Sequence, residues 1–168
     1  TIDEEPYRTY PFGSVAGNLM GYMGQVNADE LRQLGSQGYR ASSQIGKAGI
    51  ERGMESYLHG TDGVNRIEVD SSASPVSMLA AIDPVPGNSV VLTIDAGLQK
   101  EAEKLLKDGI AAVRQAGKYA KVKSGSLVAM DPRNGEVLAM ASYPGYDPSV
   151  FIPSITEKDW NKLNSSPS

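Results

Sequence analysis

SGSLVAMDPRNGEVLAMASYPGYDP, residues 124–148, decides how this chain folds. Two apolar runs, Ser126–Met130 and Val137–Ser142, flank Asp131-Pro132-Arg133-Asn134-Gly135. Pro132 presets φ for a tight turn, and Asn134 and Gly135 tolerate the positive φ that closes one. Two apolar strands joined this way predict a β-hairpin whose faces both call for cover. A lone hairpin is marginal in water, so neighbouring segments are expected to bury it.

Working back from the hairpin, Leu98, Ala102, Leu105, Leu106, Ile110 and Val113 recur as one apolar stripe, and charged residues fill the other side. This long helix, capped by Asp95 and ended by Gly117, is the expected cover for one hairpin face. The β-branched run Ser89–Ile94 before it predicts a strand, and the basic segment Lys118–Lys123 after it reads as a solvated linker. Beyond the hairpin, Pro144, Pro148 and Pro153 keep the chain extended or turning. A last helix follows, capped by Ser154 or Thr156, with Trp160 and Leu163 as its buried side.

The first half has a different texture. Pro11 and Gly13 set a turn, and Gly17 to Gly24 predict a turn of helix running into a strand, with glycines used for close packing. No Gly-Lys-Ser/Thr follows them, so a phosphate loop is not supported. Asn27, with Glu30 three residues on, spells a capping box for a helix ending at Gly35 or Gly38. Ile50, Met54, Tyr57 and Leu58 predict one helix across Gly46–Gly60, with Glu51 in its first turn and His59 on the surface near its end. Asn65–Asp70 alternates as a half-exposed strand, Ser71–Ser77 turns, and Met78 begins the return. The breaker cluster Asp83–Asn88 is the expected domain boundary.

Composition narrows the function classes. The chain has 168 residues, 40% hydrophobic and 21% charged, with a net charge of −4, no cysteine and one histidine. That balance disfavours a nucleic-acid surface. Thiolate chemistry, disulfides and a multi-histidine metal site are excluded, and no run is long and apolar enough for a membrane span. The chain opens at Thr1 without methionine and reads as a fragment of something longer.

Four groups of residues carry a resemblance. They are Arg8-x-Tyr10-Pro11-x-Gly13 with Gly21-Tyr22-x-Gly24, and Gly46-Lys47-x-Gly49-Ile50-Glu51 with Leu58-x-Gly60-x-x-Gly63. Then come Leu92-Thr93-Ile94-Asp95-x-x-Leu98-Gln99, and Asp131-Pro132-x-x-Gly135-Glu136 through Asp147-Pro148. In this order they resemble the pedestal (dimerisation domain) and first hairpin of class B penicillin-binding proteins. The helix at Asn27–Gly35 and the Phe151–Leu163 segment are similar to the elongation type (penicillin-binding protein 2), features that low-affinity resistance paralogues share. Ser149 departs from the asparagine usual after Asp-Pro.

The resemblance implies an α+β fold: an irregular pedestal of short strands and helices over 1–88, then the N-terminal fragment of a transpeptidase domain over 89–168. It implies a peptidoglycan D,D-transpeptidase of cell-wall elongation that works through a serine acyl-enzyme and binds penicillin when intact. It places that protein at the extracytoplasmic face of the bacterial membrane, with the anchor helix absent from this chain. The implied partners, through the pedestal, are a glycan polymerase and scaffold proteins of the elongation machinery. That chemistry needs Ser-x-x-Lys, Ser-x-Asn and Lys-Thr/Ser-Gly. The first two do not occur here, and Lys123-Ser124-Gly125 precedes the hairpin and reads as chance. The expected catalytic, cofactor and metal residues are therefore none, the nucleophile being expected a short way past Ser168.

The structural motif residues are Arg8, Tyr10, Pro11, Gly13, Gly46, Gly49, Glu51, Asp95, Asp131 and Gly135. Glu51 is expected to pair with Arg8 or with an arginine of the family's upstream portion. An incomplete sheet leaves a strand edge and an apolar face open, which predicts self-association. Two other classes stay open on the residues: a stand-alone scaffold or interaction module of the wall machinery, and an enzyme with an unrecognised site.

Overall fold

The computed structural model describes residues 8–72, 75–117 and 121–165, so part of the turn after Asp70, part of the basic linker and both chain ends lie outside the described residues. The fold is mixed α+β, with three two-stranded antiparallel sheets among the described residues. The chain divides into two units: Thr1–Gly53 together with Leu92–Ser168, and Met54–Val91.

The larger unit begins with the short helix α1 (Gly17–Met20) and strand β1 (Met23–Gln25). Helix α2 (Ala28–Leu34) follows, and its start is legible in the letters: Asn27 Oδ1 accepts from the Asp29 and Glu30 amides, while Glu30 accepts from the Asn27 amide. A 3-10 turn carries it to Gly38, at φ +94°. Strand β2 (Gln44–Gly46) returns to pair with β1. The loop between these strands buries Val26 and Tyr39, with Ile45 of β2, against Leu31 and Leu34, so the α2 excursion carries its own small core.

The single helix expected over Gly46–Gly60 is not there. Gly46 ends β2, helix α3 covers Gly49–Gly53, and α4 covers Glu55–Leu58. Gly53 and the non-helical Met54 break the run, because glycine surrenders more backbone entropy in a helix than any other residue. Met54 and Tyr57, assigned to a buried stripe by period, are 43% and 60% exposed.

The smaller unit holds α4 and a ribbon of strands β3 (Val64–Val69) and β4 (Pro75–Ile82). The return strand starts at Pro75, three residues earlier than the expected Met78. Ile67, Val76, Leu79 and Ile82 stay half or more exposed, as two strands alone cannot bury their apolar side chains. Past the ribbon, Thr61 and Val85 exchange backbone hydrogen bonds of 2.8 and 2.9 Å.

Ser89–Ile94 forms no strand, contrary to its β-branched composition. A ladder needs a partner, and this segment meets one only near its end: the Thr93 hydroxyl donates to the Val137 carbonyl (2.7 Å) and the Asp95 amide to the Leu138 carbonyl (2.9 Å). Asp95 then caps α5 (Ala96–Gln115) through the Leu98 amide.

The hairpin forms as expected, from β5 (Gly125–Met130) and β6 (Val137–Tyr143). Leu127, Ala129, Ala139 and Ala141 face α5 and pack on Ala102 and Leu106. The face of α5 that does the covering is Gln99, Ala102, Leu106 and Ile110. Leu98, Leu105 and Val113 flank it at 41%, 57% and 39% exposure. Val128, Met130 and Met140 on the far hairpin face are open to solvent at 55%, 55% and 39%. After the hairpin come a 3-10 turn (Pro148–Phe151) and helix α6 (Glu157–Asn164), capped by Thr156. Trp160 on α6 is 49% exposed and so is no core residue. Among the described residues no helix is long and apolar enough to cross a membrane.

Candidate functional site

Within the larger unit, the N-terminal motifs and the hairpin meet at one junction. Arg8 Nε donates to Glu51 Oε1 at 2.8 Å, and its terminal nitrogen lies 2.5 Å from the same oxygen. The Glu51 side chain is 5% exposed and that of Arg8 42%, so the carboxylate is buried while the guanidinium still reaches water. Two glycines make room for it. A Cβ on Gly46 would overlap the Glu51 carbonyl, and one on Gly49, at φ +57°, would overlap that of Leu19. The Arg8 guanidinium also sits 5.7 Å from the Tyr10 ring centroid. Burial, and then the charge of Glu51, pushes the Tyr10 phenol pKa up.

Beside this pair three rings interlock. Tyr22 stacks on Phe151, centroids 3.7 Å apart and planes at 15°, and Tyr146 stands edge-on to both at 6.3 and 5.8 Å. Burial raises the pKa of the Tyr146 phenol. Gly17 lies so close to the Tyr146 carbonyl that any Cβ would overlap it, and Pro148 beside it is fully buried. The Asn18 amide donates to the Pro144 carbonyl at 3.0 Å. Gly13 faces the Asp147 carboxylate, which caps the 3-10 turn through the Ser149 amide.

Helix α5 supplies the polar part. The Gln99 side chain, 1% exposed, satisfies both backbone groups of Met140 on β6: its Oε1 accepts from the Met140 amide (2.7 Å) and its Nε2 donates to the Met140 carbonyl (3.0 Å). The same Nε2 donates to Glu103 Oε1 at 2.7 Å, and that oxygen also accepts the Ala16 amide at 2.7 Å.

The ten residues singled out by motif thus fall in three places. Arg8, Tyr10, Gly13, Gly46, Gly49 and Glu51 gather at the junction, with Pro11 in the exposed turn that Tyr10 and Gly13 close. Asp95 caps α5. Asp131 and Gly135 shape the hairpin turn: Arg133 doubly contacts the Asp131 carboxylate and holds its pKa low, and Gly135, at φ +81°, donates to the Asp131 carbonyl. Gln99 and the three rings stand in the sequence only as letters of the resemblance, without a role, and the part Glu103 plays is not foreseen. Gln99 had a signal, since it stands at i, i+3, i+7, i+11 with Ala102, Leu106 and Ile110. The junction is packing and hydrogen bonding throughout; among the described residues no cluster of His, Cys, Asp or Glu could hold a metal.

The N-terminal segment is thus fastened to α5 and to the chain that follows the hairpin. Residues 1–92 match the family model of the penicillin-binding protein dimerisation domain, and the chain belongs to that family. Among curated relatives, the peptidoglycan D,D-transpeptidase MrdA of Acinetobacter baumannii is 34% identical over 98% of this chain and 22% of its own length. Among solved structures, the complex between penicillin-binding protein PBP2 and MreC from Helicobacter pylori contains a chain that is 30% identical. The match has a TM-score of 0.71 and covers 95% of this chain and 27% of that one. A second solved structure describes the structural coordination of polymerization and crosslinking by a peptidoglycan synthase complex. It matches at 34% identity and TM-score 0.77, over 96% of this chain and 28% of that one. The chain therefore spans about a quarter of the length of the proteins it matches.

Proposed function

We propose that this chain is the pedestal, residues 1–88, and the opening portion of the transpeptidase domain, residues 89–168, of a peptidoglycan D,D-transpeptidase of cell-wall elongation. In that reading the chain supplies no group to the serine acyl-enzyme chemistry. It carries the catalytic domain at a set position outside the membrane and offers the pedestal to a glycan polymerase and scaffold proteins. The observation that carries the reading is the junction: Tyr22 stacks on Phe151, the Ala16 amide donates to Glu103 of α5, and the Asn18 side chain donates to the Pro144 carbonyl, which ties the pedestal motifs to the helix behind the hairpin and to the chain just past it. A spacer that fixes the position of a catalytic domain needs such a lock, because a flexible linker would let it wander. The solved relatives, one with MreC and one in a synthase complex, support the choice of partners.

Fluorescent penicillin tests the reading. The natural full-length protein should be labelled covalently at the serine of a Ser-x-x-Lys lying beyond Ser168, and the 168-residue chain alone should stay dark. Label on the isolated chain would reveal an enzyme of another kind. A natural reading frame with no such motif and no label would leave the stand-alone scaffold.

A further inference from the structure

Between Ala16 and Met140 runs a hydrogen-bonded line whose middle is two side chains of one helix face. We infer that Gln99 and Glu103 are a latch that transmits the placement of the N-terminal segment to the edge of strand β6; as a positioning device for catalysis it rests on the function proposed above. The chemistry at each point limits the residue. Only a primary amide presents an acceptor and a donor side by side to one strand residue and keeps a second N–H for another partner. Gln99 uses all three, on Met140 N, Met140 O and Glu103 Oε1. Glu103 accepts twice, from Gln99 and from the amide of Ala16. Ala16 is the one non-glycine among the described residues with positive φ, +58°, a conformation that a side chain disfavours and that its surroundings must hold. Losing the Glu103 acceptor therefore releases the Ala16 turn at one end and, together with it, frees a donor of the Gln99 amide that holds Met140 at the other. Hydrogen bonds in such a part-buried series reinforce one another, so the two ends respond as a pair.

Amide hydrogen exchange on this chain reads the coupling directly. Glu103→Leu should speed exchange about five-fold or more at Ala16, which it touches, and also at Met140, which it does not. Glu103→Gln keeps the double acceptor and should restore both. Acceleration at Ala16 with Met140 unchanged would reduce Glu103 to a local cap and overturn the latch. In the natural full-length protein, assayed well below its melting temperature, Glu103→Leu should slow penicillin acylation roughly two- to thirty-fold while Glu103→Gln acylates like wild type. Equal rates in all three would overturn the positioning role. Wild type that takes no label would instead sink the proposed function, and the exchange data would still judge the latch.

Discussion

At the residue scale the deciding asymmetry is the burial of the Arg8–Glu51 pair. An exposed ion pair is worth little, because water screens both partners. Here the carboxylate is 5% exposed, so stranding it costs far more than the pair itself contributes. Arg8→Ala should destabilise the chain by about 1–3 kcal/mol in urea titrations. The double variant Arg8→Ala/Glu51→Gln should recover part of that loss, because an amide tolerates burial without a counter-charge. Equal midpoints for the single variant and wild type would mean that water already carries the Glu51 charge. Both residues are legible as motif letters, but the sequence leaves Glu51 two partners, Arg8 or an upstream arginine, and it is the geometry that selects Arg8. The meeting of these N-terminal motifs with Tyr146 and Phe151 is not legible, since the two stretches lie far apart in the chain and no periodicity spans such a gap.

At the scale of elements, local rules succeeded where the chain supplies its own partners. The α2 capping box and the Asp131–Gly135 turn are closed by residues two to four positions apart, so their letters suffice. Glu30 shows the consequence. Burial opposes its ionisation, but the Asn27 amide and the Lys47 ammonium outweigh that and hold its pKa below the usual carboxylate value. A depressed folded pKa adds stability above the unfolded value, and that stability is lost as pH falls through the folded one. The stability gap between wild type and Glu30→Gln should thus be present at neutral pH and close progressively on acidification, as paired urea melts would record. A gap that does not change with pH would contradict it. Local rules failed where the partner lies elsewhere. Ser89–Ile94 has strand letters but no ladder, and of the α5 stripe Ala102, Leu106 and Ile110 do the covering while Leu98, Leu105 and Val113 only flank it, because Gln99 takes a place in the buried column that apolar letters do not mark.

For the whole molecule, the two edges of the hairpin are unequal. Along β6, the carbonyls of Leu138 and Met140 and the Met140 amide are already taken by Asp95 and Gln99. Val128 pairs with Met140 across the hairpin, so when Met140 directs its backbone outward, Val128 does the same on β5. The β5 edge therefore has outward groups to offer, beside an exposed Val128 and Met130. The chain should self-associate there, with an apparent mass in analytical ultracentrifugation that rises with concentration. Val128→Pro removes one outward donor and leaves the hairpin's own ladder intact, so it should yield a monomer. Wild type that stays monomeric at high concentration would count against the open edge.

The exposed position of Trp160 has a consequence for how this molecule can be watched. It is the only tryptophan in the sequence and sits half exposed on α6. Emission at tryptophan wavelengths therefore comes from the last helix. The stacked Tyr22 and the edge-on Tyr146 supply a near-ultraviolet dichroism signal of their own. Two spectroscopies thus follow two different regions of one chain, and any gap between their transition midpoints measures how independently α6 comes loose.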